Sequence, residues 1–175
     1  ISGLFYWLLW GRAPEKVGAI KLMQGWPKPG AVRREIGWSL ASSFIYAAPA
    51  AAVVEIWHLG GTAVYIDINE YPLWYVPVSI CAYLFLHDTY FYWTHRLMHL
   101  KPLFSVMHRV HHESRPPTPW AAFSFHPYES VVGAIFLPLL ALFIPIHAGA
   151  ILFILTVMTL AAVLNHSGWE ILPKW

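Results

Sequence analysis

Six of the ten histidines in this chain fall in one run, His87-Asp88-Thr89-Tyr90-Phe91-Tyr92-Trp93-Thr94-His95-Arg96-Leu97-Met98-His99, continued by His108-Arg109-Val110-His111-His112. A helix turns about 100° per residue, so His95 and His99, four apart, share a face. Asp88 precedes His95 by seven residues and falls about 20° from that face, whereas His87 lies about 80° off it. His108, His111 and His112 stand at i, i+3 and i+4 and are expected to form a second one-sided cluster. Pro102 is expected to close the first helix. Two such clusters on either side of a break read as two walls of a metal site, because neutral imidazole is the commonest metal ligand.

What surrounds the histidines sets the fold class. Ile36 to Trp57 is a long apolar run with small residues Ser39, Ala41, Ser42, Ala47 and Ala48, suited to close helix packing in lipid. A second run from Leu73 towards Tyr92 leads straight into the histidines. Val131–Pro145 and Ala148–Leu164 form an apolar hairpin that turns at 145–149, each arm short for a full crossing, which takes about 20 helical residues. Apolar residues make up 58% of the 175 and charged ones only 11%, against about 25% charged in an ordinary soluble domain. The expected fold is an all-α integral membrane bundle of about four transmembrane or membrane-inserted helices. Residues 1–35 are expected as an N-terminal interfacial or cytoplasmic segment and 36–175 as the membrane-embedded domain. In the first part, Ile1–Trp10 reads as the tail of a span or an interfacial anchor, the aromatic residues Phe5, Tyr6, Trp7 and Trp10 favouring the anchor, and Gly11–Glu35 as a polar, basic loop. The chain opens on Ile1, so residues upstream are expected.

The charges orient this threading. All eleven Lys and Arg lie at Arg12–Arg34, Arg96–Arg115 and Lys174. By the positive-inside rule both histidine clusters are cytoplasmic, and the hairpin returns His166 to the same side. A net charge of +2 is too small to argue for nucleic acid, and the single Cys81 excludes a disulfide framework, a cysteine-ligated zinc and an iron–sulfur cluster. The chain has no G-x-G-x-x-G dinucleotide fingerprint. The remaining histidines have plainer readings: His126, before Pro127, caps a helix whose first turn holds Glu129 against the helix dipole, and His58 and His147 cap or anchor turns on the opposite side. Imidazoles clustered at a membrane edge are costly unless something binds them.

The motifs HDTYFYWTHRLMH, HRVHH, PTPWAAFSFHPYE and NHSGWE resemble the fatty acid hydroxylase/sterol desaturase superfamily over roughly Arg34 to Trp175. The resemblance implies an integral membrane oxygenase with a non-haem di-iron site held by His95, His99, His108, His111, His112 and His166. It implies O2-dependent hydroxylation or desaturation of a lipid, either a sterol or a fatty acyl chain, in the bacterial inner membrane or the endoplasmic reticulum. Electrons would come from an external donor, cytochrome b5-like or a ferredoxin, which Arg96, Lys101, Arg109 and Arg115 could dock; topology labels are the plainer role for these residues. Asp88 and Glu170 are candidate carboxylates to hold ligand N–H groups; the plainer readings are a helix-end ion pair with an arginine for Asp88 and a solvated interfacial carboxylate for Glu170. Family members close the site with a further H-x2-HH box that these residues do not include. Six imidazoles fall short of two metals with about four nitrogens each, so the chain is expected to be incomplete at its C-terminus. The alternatives are a catalytically incomplete metal-binding scaffold of the same fold and a di-zinc form, since imidazole suits both metals.

Overall fold

The computed structural model describes residues 1–11, 20–23 and 25–170. Arg12, Lys16 and Lys174, used in the charge map, lie outside the described residues. Helix α1 (Ser2–Tyr6) runs into a π-helical turn, Trp7–Gly11. Strand β1 (Ile20–Lys21) is followed by α2 (Ala31–His58), β2 (Val64–Tyr65) and α3 (Tyr75–Met98). The short α4 (Lys101–Leu103), a π-helical turn at Phe104–His108 and α5 (Arg109–His112) carry the second histidine cluster. A 3-10 turn at Pro119–Phe123 leads to α6 (Pro127–Phe143), β3 (Ile146–His147), α7 (Ala148–Asn165) and β4 (Trp169–Glu170).

The chain is thus a helical bundle, as expected. Two helices, α2 and α7, are long and apolar enough to cross a membrane, with mean hydropathy of 1.4 and 2.2 over their most apolar stretches. α6 is apolar but has only 17 residues, and α3 has the length but carries His87, Asp88, His95 and Arg96. The distribution of polarity is the reverse of a water-soluble bundle. Phe44, Phe85 and Phe143 are more than 70% exposed, while Glu35, Ser39, Ser42, Ser79, Glu129 and Ser130 are buried. A surface of large apolar side chains around a polar interior suits a lipid surround, where polar groups must be satisfied inside the protein.

Glu35, Ser39 and Ser42, at i, i+4 and i+7, form one polar face of α2. That face is stitched to the segment that follows α5. The Thr118 hydroxyl donates to the Glu35 carboxylate, Ser39 Oγ donates to the Trp120 carbonyl at 2.7 Å, and Ser42 Oγ donates to the Phe125 carbonyl at 3.4 Å. Ser130 Oγ on α6 donates to Ser42 Oγ at 2.9 Å. Here the sequence expectation needs correction. The polar loop does not reach Glu35: α2 starts at Ala31, after Gly30 with φ 80°, and Glu35 is fully buried. Its partner, Thr118, is 83 residues away in sequence.

At the opposite end, β2 and β3 pair in parallel, Val64 with Ile146 and Tyr65 with His147. The Tyr83 hydroxyl donates to the Ile144 carbonyl at 2.8 Å, and Tyr83, Ile146, Ala150 and Ile154 form the apolar core beneath. The two loops free of lysine and arginine therefore meet each other, in keeping with their shared side in the charge map. His126 and His147 cap α6 and α7 as expected, each Nδ1 accepting the backbone N–H two residues on, at 3.4 and 3.1 Å. Residues 1–11 and 20–23 are tied to the end of the described chain. β1 pairs antiparallel with β4, and Leu9, Trp10 and Trp169 form a second small core.

Candidate metal centre

α3 ends at Met98, with His99 as its C-cap, and its last turns place His95 and His99 on one side. Pro102 does not close α3, as had been expected; it occupies the first turn of α4, where its missing N–H costs nothing. The π-helical turn at Phe104–His108 then swings the chain back, a local geometry that recurs at functional sites. His108 is fully buried as a result. Nε2 of His95 and His99 are 3.1 Å apart, and Nε2 of His108 and His112 are 3.0 Å apart. The His95 and His108 ring centres are separated by 4.6 Å, and those of His99 and His112 by 5.0 Å. One nitrogen from each of the four lies within 4.8 Å of the other three. The two expected walls meet.

His111 belongs to a different group. Relative to His108, a residue four on is rotated by about +40° and one three on by about −60°. His112 therefore stays with His108, while His111 turns away by about 100° and faces α7. Its Nε2 lies 3.1 Å from Nε2 of His166. The trio expected on one side is thus divided, and the return of His166 to the histidines is observed. The six imidazoles form a group of four and a group of two, with the His108 and His111 rings 5.4 Å apart.

The chemistry of this donor set fits a cation. His166 Nδ1 lies 2.8 Å from the Ala162 carbonyl, which can only accept, so Nδ1 carries the proton and Nε2 presents a lone pair. His108 Nδ1 lies 2.8 Å from Glu129 Oε1; with Glu129 ionised, Nδ1 carries the proton and Nε2 presents its lone pair. Two lone pairs at 3 Å repel unless one ring donates its N–H to the other or a metal ion stands between them. A second proton, which would make an imidazolium, is disfavoured here. Burial pushes His111 down to about 3, aided by His166, His108 and His112, with the Ser124 backbone pulling the other way. Burial, then His108 and His99, push His112 down to about 4, and burial lowers His108 and His166. Neutral imidazoles with aligned lone pairs are metal ligands in waiting.

Glu129 is the residue that sequence reasoning undervalued. Its position in the first turn of α6 explained it as an answer to the helix dipole, yet its side chain is 7% exposed and bonds His108. The signal lay in PTPWAAFSFHPYE: an acidic residue opening an apolar helix, with no basic residue near it in sequence. Asp88 is instead 81% exposed at its side chain, with His87 Nδ1 at 3.4 Å. Glu170 sits in β4 opposite Ile20. Among the described residues neither carboxylate bonds any of the six imidazoles. The β4 region does support His166 indirectly: Trp10 Nε1–H donates to the Ser167 carbonyl at 2.9 Å, and the Ser167 hydroxyl donates to the Trp169 carbonyl at 2.9 Å.

The sequence model of the family described as fatty acid hydroxylase matches residues 80–175, more than half of the chain. The chain belongs to the fatty acid hydroxylase family. All six imidazoles of the cluster lie within the stretch this family shares. Among curated relatives, a Delta(7)-sterol 5(6)-desaturase of Gibberella zeae is 29% identical over 116 residues, covering 66% of this chain and 36% of that protein. Lathosterol oxidase of Homo sapiens is 27% identical over 139 residues, covering 78% of this chain and 46% of that protein. A methylsterol monooxygenase of Aspergillus fumigatus is 33% identical over 112 residues, covering 57% of this chain and 37% of that protein. The chain thus spans less than half the length of each of these relatives. No solved structure matches it significantly.

Proposed function

We propose that this fatty acid hydroxylase family member forms the catalytic part of a membrane-bound non-haem di-iron oxygenase that desaturates or hydroxylates a lipid, with a sterol as the favoured class. The observation that carries the reading is the convergence of six imidazoles around the buried His108, with their Nε2 atoms paired at 3.0–3.1 Å. The sterol preference is supported by relatives named as sterol desaturases and a methylsterol monooxygenase. Two irons bound here would supply O2 activation with electrons from an external donor, and so oxidation of an unactivated C–H bond. His95, His99, His108 and His112 would hold one ion. His111 and His166 would contribute to the second, with further ligands from elsewhere in the protein.

The chain's own part is to position and to exclude. The Ala162 carbonyl fixes the tautomer of His166, so its lone pair points inward before a metal arrives, and Glu129, ionised opposite a bound cation, would do the same for His108. Burial of His108 keeps water from the inner face. The apolar exteriors of α2 and α7 would seat the protein in the bilayer beside its substrate. The basic residues Arg96, Lys101, Arg109 and Arg115 support a cytoplasmic metal site and could receive an acidic electron donor.

The test is to purify the protein, measure bound iron and zinc, and assay sterol oxidation by mass spectrometry, with His108→Ala/His111→Ala beside it. Loss of both bound metal and product is expected. Retention of iron and product by the double variant would overturn the assignment, and bound zinc with no product would favour the di-zinc alternative. For orientation, cysteines placed at Arg115 and Asn69 should label from opposite sides of the membrane; labelling from one side would refute the threading.

A further inference from the structure

We propose that Glu129 is a positioning residue that makes the four-histidine half the charged, high-affinity half of the centre. The inference rests on the metal reading above. A carboxylate that only answered the α6 dipole could stay in solvent. Glu129 is instead buried, with Oε1 2.8 Å from His108 Nδ1 and Oε2 buried without a hydrogen-bond partner among the described residues. No lysine or arginine pairs with it there; its partner is the neutral His108 ring, through a hydrogen bond. A buried carboxylate left without a compensating cation is costly. A dication held by Nε2 of His95, His99, His108 and His112 supplies that charge through the His108 ring.

The position is held from behind. Ser130, the next residue, donates to Ser42 on α2 at 2.9 Å and also lies within 3.2 Å of the His126 carbonyl. The first turn of α6 is therefore pinned against α2. The other half has a neutral counterpart, the Ala162 carbonyl on His166. An anionic acceptor makes an imidazole a stronger donor than a carbonyl does. The two halves are thus built with unequal pull on their metals, and the four-histidine half holds its metal more tightly.

Co(II) binding to the purified, metal-free chain in detergent micelles tests this, with affinity measured against a competing chelator and the visible ligand-field spectrum recorded. Glu129→Gln should weaken Co(II) at the tight position about 10- to 100-fold and shift the spectrum. Glu129→Ala, which also removes the acceptor for the His108 N–H, should weaken it further. The melting temperature of the metal-free Glu129→Gln protein should hold, since the amide can still hydrogen-bond the His108 ring. Wild-type affinity and spectrum in both variants would overturn the proposal. So would a lower metal-free melting temperature in Glu129→Gln with unchanged affinity and spectrum, which is a structural role alone. His108→Ala separates this from the parent reading: if it binds Co(II) as the wild type does, the metal centre itself is refuted, whatever Glu129 does.

Discussion

A single methyl group at Gly168 tests how the N-terminal segment holds His166 in place. Gly168 has φ +77°, and a Cβ there would stand 2.6 Å from the Pro117 carbonyl oxygen and 2.9 Å from Cζ2 of Trp10. Neither neighbour yields cheaply. One is backbone, and the Trp10 ring is held by Trp26 and Trp169 at 5.5 and 5.7 Å and by its Nε1–H bond to Ser167. Lys21 Nζ further closes this cluster, 4.5 Å from the Trp26 ring centre. Left-handed backbone costs an alanine about 1 kcal/mol, and forcing a methyl into close packing about 1–3 kcal/mol more. In a chain of this size each kcal/mol lowers the melting temperature by about 2–4 °C. Gly168→Ala should therefore melt roughly 5–15 °C lower by tryptophan fluorescence. Because His166 is two residues away, the variant should also lose metal at the His111–His166 position while the four-histidine position still fills with Co(II). A melting temperature within about 1 °C of wild type, with both positions filled, would refute the clamp.

Gly133 on α6 lies under the Tyr46 hydroxyl, which a Cβ would overlap. Gly133→Ala should destabilise the α2–α6 contact in thermal melts, and Tyr46→Phe should recover part of the loss; additive effects in the double variant would refute direct contact. Thr118→Val keeps the shape but strips Glu35 of its donor, at a cost of about 1–3 kcal/mol for the orphaned group, read as a lower melting temperature; no change would mean that Glu35 finds another partner. Acid should destabilise the metal-free protein. Burial holds His111 to about 3 and His112 to about 4, against about 6.5 in an unfolded chain. The unfolded chain then takes up protons that the folded one refuses, so stability is full above about pH 6.5 and falls as the pH drops towards 3. A melting temperature that stays flat from pH 7 to pH 4 would contradict this.

The long helices could be read from the sequence because apolar length is a local property. Ile36–Trp57 and Ala148–Leu164 were placed to within a few residues of α2 and α7. The histidine pair on α3 could be read for the same reason, since 100° per residue fixes which side chains share a face. What could not be read depended on partners far along the chain. Glu35 looks solvated until Thr118 is seen against it, and Glu129 looks like a dipole device until His108 is swung towards it by the π-helical turn. Helical spacing, the charge map and the family resemblance all pointed to the six histidines, but their division into four and two came from the fold.

That division follows from His111 and His112 being adjacent. Neighbours on one helical turn diverge by about 100°, so α5 sends His112 to the α3 histidines and His111 to α7. Both groups of imidazoles therefore hang on four residues of backbone, Arg109–His112. Any motion of α5 shifts imidazoles in both groups at once, and the spacing between the two groups is set by one short helix rather than by the packing of long ones. Such a helix has too little apolar surface to hold itself. Its fixtures are polar: Arg109 Nε lies 3.5 Å from Glu113 Oε1, and Arg34 Nη2 donates to the Glu113 carbonyl at 3.0 Å. The first turn of α2 thus secures the end of α5, while the Glu35–Thr118 bond one residue on secures the chain that follows. Arg34 and Arg109 have a structural task here, and the apparent loop before Ile36 is part of what keeps the two groups in register.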